Sequence, residues 1–173
     1  MGERLFRFNS FPVRVFGPFC GLNCRILVEW MKPKENMGKI IAKLRLTNNG
    51  EWFNYDRKLS RRKPHQTEVE ALVDTGAARL YLKPSVIKAL ALRKVDEVQS
   101  QTTNGIRIRG VYDPVRLELM GRHGTFDVVD IDEHVPNLLG QIPLEYLDLI
   151  IDPKARELRP NPAHGDKLMT EEY

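Results

Sequence analysis

The sequence predicts an all-β domain with one or two short helices. Apolar and polar residues alternate with period two in run after run from Lys39 onward, turn signals rich in Gly and Asn separate the runs, and only two stretches carry helical spacing. Ile40, Ala42, Leu44 and Leu46 alternate with Ile41, Lys43 and Arg45, the pattern of a strand with one buried face. Thr47-Asn48-Asn49-Gly50 is a turn signal, and a polar, basic excursion through Arg57, Lys58, Arg61, Arg62, Lys63 and His65 follows it. Val69, Ala71 and Val73 then alternate with Glu68 and Glu70 in a second strand that ends at Asp74. An antiparallel hairpin around the excursion is the simplest pairing of these two strands.

Pro84 to Leu92 reads as a short helix, with Pro84 suited to a first helical position and Val86 or Ile87 spaced against Leu90. Arg93 to Thr103 is extended and polar, and Asn104-Gly105 signals a hairpin turn. Ile106, Ile108, Gly110 and Tyr112 alternate with Arg107 and Arg109; Val115, Leu117 and Leu119 form another strand. Gly121-Arg122-His123-Gly124 reads as a turn before a strand from Thr125 to Ile131. Pro136 to Gly140 is an apolar strand ending in Gly, Pro143 to Leu147 a brief helix, Leu149 to Pro153 the last strand, and Pro160-Asn161-Pro162 the end of the domain. The order strand, Gly turn, short helix occurs at Ala71–Leu92 and again, more compactly, at Leu138–Leu149. That echo suggests two similar halves about a local pseudo-twofold axis.

The 173 residues suit one domain, 38–162, preceded by an extension at 1–37 and followed by a polar tail at 163–173. The extension has no sustained period, and Lys32-Pro33-Lys34-Glu35-Asn36 reads as a linker. It is either an appendage packed on the domain or a poorly ordered leader ahead of a true start at Met31 or Met37. A net charge of +4 is only mildly basic, so no nucleic-acid partner is expected. Trp52, Phe53 and Tyr55 just upstream of the basic cluster leave a local stacking surface open, although a solvated loop is the simpler reading. Cys20 and Cys24 cannot complete a four-ligand zinc site and have no His nearby, so reduced thiols, no metal and no cofactor are expected. No apolar run approaches the ~20 residues of a membrane span, and Arg and Asn interrupt the N-terminal apolar stretches too often for a signal peptide. The expectation is a cytoplasmic protein with no membrane partner.

One residue is out of place in this pattern. Asp74 sits at the end of the apolar run Ala71-Leu72-Val73, where a carboxylate is costly unless satisfied or used. The Thr75-Gly76 turn offers donors that could hold it. A turn Asp satisfying local N–H groups is the bland alternative.

The run Ala71-Leu72-Val73-Asp74-Thr75-Gly76-Ala77, the Asn-Gly hairpin, and then Asn137-Leu138-Leu139-Gly140 with a short helix resemble a retropepsin-like aspartic protease of the small bacterial and archaeal single-domain kind. The likeness covers roughly Met37 to Pro162. It implies a small closed acid-protease barrel that acts as a homodimer on peptide or protein substrates. Under it Asp74 is the catalytic aspartate, Thr75 the hydroxyl that braces two loops across the dimer, and Gly76 the turn residue that lets backbone approach substrate. Ala77 is the small residue that follows. Asn104, Gly105 and Ile106 belong to a flap over the substrate, although Arg107 and Arg109 just after a single Gly depart from the pattern. Leu138, Leu139 and Gly140 thread beside the active loop.

Two carboxylates about 3 Å apart share one proton, which lets one accept a proton from water while the other donates to the peptide carbonyl. This chain has a single Asp-Thr-Gly, and Asp152, before Pro153, lacks the Thr-Gly turn. A dyad therefore requires two chains, each supplying Asp74. Substrate would lie extended, with Leu72, Leu80, Leu82 and Ile108 as pocket walls or, more simply, as barrel core. The expected function is an aspartic endopeptidase; a non-catalytic dimerisation or peptide-binding barrel is the alternative.

Overall fold

The computed structural model describes residues 39–102 and 105–164. The expected extension at 1–37, Asn104 and most of the expected C-terminal tail lie outside them.

The sheet closes on itself. β1 (Ile41–Asn48) pairs antiparallel with β2 (Gln66–Val73), in register from Ile41 opposite Leu72 to Thr47 opposite Gln66. β2 runs parallel to β7 (Asn137–Leu139), which is antiparallel to β3 (Leu80–Leu82). β3 is parallel to β6 (Arg122–Asp130), and β6 is antiparallel to β5 (Gly105–Leu119). The lower half of β5 then pairs with β1, Arg45 opposite Glu118, which closes a six-stranded barrel. A closed sheet leaves those strands no free edge. β4 (Lys94–Thr102) stands outside the ring as the partner of the upper half of β5.

The alternation seen in the sequence fills the barrel. Ala42, Leu44 and Leu46 of β1 and Ala71 of β2 face a core that includes Leu80, Leu82, Val115, Leu117, Val128 and Leu139. Lys43 and Arg45 stay outside.

Four details differ from the sequence reading. The excursion after β1 begins with a helix, α1 (Asn49–Asp56), not a simple turn, so the described residues hold three short helices. The Asn48 side chain caps it by accepting from Glu51 N–H at 3.1 Å, while the Glu51 carboxylate takes the His65 N–H at 2.7 Å and closes the excursion at its base. The two runs expected around Asp113-Pro114 are one strand, because a register shift between Tyr112 and Val115 accommodates a residue with no N–H. The turn expected at 121–124 is tighter: Met120 and Gly121, both at positive φ, connect β5 to β6, and Arg122 already belongs to the strand. β8 (Leu149–Asp152) is not the last strand; β9 (Glu157–Pro160) pairs back on it in a two-stranded ribbon.

Arg122 and Asp148 explain the third difference. Both are buried, their side chains meet at 3.2 Å, and Arg122 Nη1 also donates to the carbonyls of Leu147 and Asp148. His164 Nδ1 lies 3.0 Å from the same carboxylate. Burial raises the Asp148 pKa, and hydrogen bonds from His164, Asn161 and Arg122 outweigh it, holding the group below the usual carboxylate range.

Candidate active site

β2 carries the chain inward as an apolar strand and releases it at Asp74. The Val73 N–H donates to Ile40 O, and the next amide, Asp74 N–H, donates to Leu139 O at 3.0 Å. The chain then turns tightly: Ala77 N–H returns to Asp74 O at 3.1 Å, and Gly76 N–H donates to Asp74 Oδ1 at 2.9 Å. Asp74 is half-buried, and its Oδ2 has no hydrogen-bond partner among the described residues. Thr75 and Gly76 are exposed at the tip, and the Thr75 hydroxyl bonds to no described residue.

A second element clasps the far side of this loop. α3 (Gln141–Tyr146) begins directly after β7, and its first two amides donate outward, Gln141 N–H to Ala77 O at 2.8 Å and Ile142 N–H to Ala78 O at 3.0 Å. The orphan donors of a helix start thus hold the carbonyls of the loop. Gly140 lies between these contacts. A Cβ there would overlap Arg79 O and sit 2.6 Å from Ala77 O, so only glycine lets the two backbones approach this closely.

Asn137 locks the same junction from below. It is buried at the start of β7, donates through Nδ2 to Glu70 O at 2.9 Å, and accepts through Oδ1 from Lys83 N–H at 3.0 Å, just before α2 (Pro84–Ala89). In the sequence Asn137 reads only as a member of the apolar strand from Pro136 to Gly140. A lone amide opening such a strand was the signal that could have marked it.

The hairpin that the resemblance reads as a flap is formed by β4 and β5. Thr102 pairs with Gly105, so Gly105, with φ 104°, opens β5 rather than sitting inside the turn, and the intervening pair 103–104 lies outside the described residues. Ile106 and Ile108 are each 67% exposed on one face. Ile108 is therefore a surface residue, whereas Leu80 and Leu82 are core. Arg109 reaches Asp132 in the segment after β6 at 2.9 Å, with Arg107 at 3.8 Å. The Arg109 hydrogen bond is the main cause that holds Asp132 below the usual carboxylate range. In the same segment the Glu133 carboxylate accepts from both Ser85 N–H and Ser85 Oγ at the start of α2. Residues 131–136 thereby tie the hairpin arm to α2 and lead straight into β7.

Asp152, set aside as a second catalytic group, is occupied elsewhere: its Oδ1 accepts from Lys154 N–H and Ala155 N–H, and Oδ2 meets Arg159 at 3.2 Å. Among the described residues no group of three or more His, Cys, Asp or Glu is arranged to hold a metal ion, and no helix is long and apolar enough to cross a membrane.

A closed barrel with an Asp-Thr-Gly-Ala loop held by a Leu-Leu-Gly strand is accompanied by a direct sequence match. Residues 63–141 match the family model described as aspartyl protease. Among solved structures the chain is similar to EIAV protease complexed with the inhibitor HBY-793, with 22% identity, coverage of 46% of this chain and 76% of that one, and a TM-score of 0.38. No curated protein matches the chain. The family match spans β2, the Asp74 loop, the hairpin and β7.

Proposed function

We propose that this chain is an aspartic endopeptidase that works as a homodimer, with Asp74 of each subunit meeting at the twofold axis. The observation that carries the reading is the state of the Asp74 carboxylate: one oxygen is fixed by the Gly76 amide and the other is left free by every described residue, on a loop held from both sides by backbone. The local turn uses only one carboxylate oxygen, through the Gly76 N–H, and leaves the second available to a partner or to water.

In the paired site the two carboxylates hold one proton between them. The ionised member accepts a proton from a water, and the water oxygen bonds to the scissile carbonyl carbon. The protonated member donates to the carbonyl oxygen, giving a neutral gem-diol. Collapse breaks the C–N bond: the carboxyl that took the water's proton gives it to the nitrogen, the other carboxylate takes one from a gem-diol hydroxyl, and the halves leave as an amine and a carboxylic acid. The Thr75 hydroxyls, which bond to no described residue of their own subunit, brace one loop against the other. The backbone of Gly76 and Ala77 faces substrate from below, and Gly105 and Ile106 of the hairpin cover it from above. Substrate adds as an extended strand, so affinity comes from main-chain hydrogen bonds and preference from side-chain pockets.

The test is cleavage of a peptide library by the wild-type protein and by Asp74→Asn, with solution mass measured for both. The proposal expects cleavage by a dimeric wild type and none by a dimeric variant. A variant as active as the wild type refutes it. A dimeric wild type that binds peptides without cutting any assigns the barrel to the non-catalytic class instead.

A further inference from the structure

The excursion between β1 and β2 is not explained by the barrel or by the Asp74 loop. α1 buries none of its side chains. A helix in that position needs only polar residues to stay soluble. Instead it carries Trp52, Phe53 and Tyr55, with Phe53 44% and Tyr55 42% exposed, and Leu59 just beyond is 71% exposed. Arg57, Lys58, Arg61, Arg62 and Lys63 follow within seven residues, all exposed, and none makes an ion pair with a carboxylate among the described residues. Glu51 is already engaged by His65. The whole-chain charge of +4 is small, yet this one segment concentrates five cations against Glu51 and Asp56.

The cations and rings are interleaved in space. The Arg57 guanidinium lies 4.3 Å above the Phe53 ring, and Arg116 of β5 lies 4.6 Å above Trp52. A guanidinium stacked on a ring presents its other flat face outward. Tyr55 adds a second exposed aromatic. Flat faces beside unpaired cations match a polymer that alternates flat bases with phosphates.

We propose that the segment Asn49–His65 is a docking surface for single-stranded nucleic acid, with Phe53–Arg57 and Tyr55 stacking bases and Arg61, Arg62 and Lys63 contacting phosphates. Single strands are favoured over duplex because only unpaired bases expose their faces. An acidic peptide would use the cations and leave the rings idle. An anionic membrane would have to accept a guanidinium laid across Phe53, the ring best placed to enter it. This surface does not depend on the protease reading.

The experiment measures binding of the full chain to a labelled 20-nucleotide oligo-dT, with an equal-length duplex, polyglutamate and vesicles of phosphatidylserine and phosphatidylcholine as competitors. The expected result is displacement by excess unlabelled oligo-dT in preference to the others, and a plot of log affinity against log salt with a slope of about −3. Arg61→Glu/Arg62→Glu/Lys63→Glu should weaken binding by more than tenfold and flatten the slope by about 2. Tyr55→Ala should weaken binding by about tenfold while leaving the slope unchanged. Tighter binding to vesicles, polyglutamate or duplex than to oligo-dT overturns the proposal, as does a triple variant that binds oligo-dT like the wild type. Because these side chains are exposed, unchanged circular dichroism is expected for all variants, and the wild-type competition series decides the matter even if one misfolds.

Discussion

The amide of Asp74 donates to the carbonyl of Leu139 at 3.0 Å. This bond joins the end of β2 to the end of β7, two strands separated by more than sixty residues of chain. Immediately beyond it the loop turns at Thr75-Gly76 on one side and α3 starts on the other. Backbone register in the barrel therefore sets the position of the loop, and the Gly76 amide fixes the carboxylate within it.

Gly140 is the tightest point of that register. Replacing it with Ala would force a methyl group against the carbonyls of Arg79 and Ala77, which are backbone and cannot rotate away. Gly140→Ala should lower stability by about 1–3 kcal/mol or more in a urea titration. Peptide cleavage should fall further than stability explains, because the displaced atoms belong to the Asp74 loop. An unchanged urea midpoint would show that the two backbones are not in close contact.

Asn137 tests the same junction through polar satisfaction. Asn137→Ala leaves the Glu70 carbonyl and the Lys83 amide without their side-chain partner, a loss of about 1–3 kcal/mol for each group left buried. Asn137→Asp keeps the acceptor for Lys83 N–H and removes the donor to Glu70 O. Equilibrium unfolding should place it between the wild type and Asn137→Ala only where the new carboxylate is protonated, at acidic pH.

Acid should destabilise the fold through a defined set of groups. Glu51, Asp132, Glu133, Asp148 and Asp152 are each held below their ordinary values of 4.5 for Glu and 3.8 for Asp. A depressed folded-state value means that the stabilisation is complete above the ordinary range and is lost as pH falls through and below it. Thermal unfolding followed from pH 6 down to about 2 should show this decline. Asp148→Ala should cost about 3 kcal/mol at neutral pH, since Arg122 loses its buried carboxylate but keeps the carbonyls of Leu147 and Asp148. The acid limb of that variant should be shallower than that of the wild type; an equally steep limb would remove Asp148 from the set.

The barrel strands were legible where one face is wet and the other dry. Ala42, Leu44 and Leu46 against Lys43 and Arg45 leave only one way to place β1. α1 was not legible, because a helix that buries nothing has no apolar stripe and is set instead by the Asn48 cap and the Glu51–His65 contact. β9 escaped notice because Leu158 is its one buried residue. Arg122 was read as a turn residue because its partner Asp148 lies twenty-six positions away and nothing local announces a buried pair. At the site the Asp74-Thr75-Gly76 turn and the Leu138-Leu139-Gly140 run were both visible in the sequence. The bonds between them were not, and neither was the bridging role of Asn137, since both depend on tertiary register.

The central claim is that catalysis needs two Asp74 carboxylates in one site, and subunit mixing tests it most directly. Wild type and Asp74→Asn are exchanged to equilibrium in varied ratios and peptide cleavage is recorded. A shared dyad makes activity follow the square of the wild-type fraction, so an equal mixture retains about one quarter of the wild-type rate. Activity that falls in direct proportion to the wild-type fraction, leaving about one half, would mean that each subunit works alone and would contradict the account.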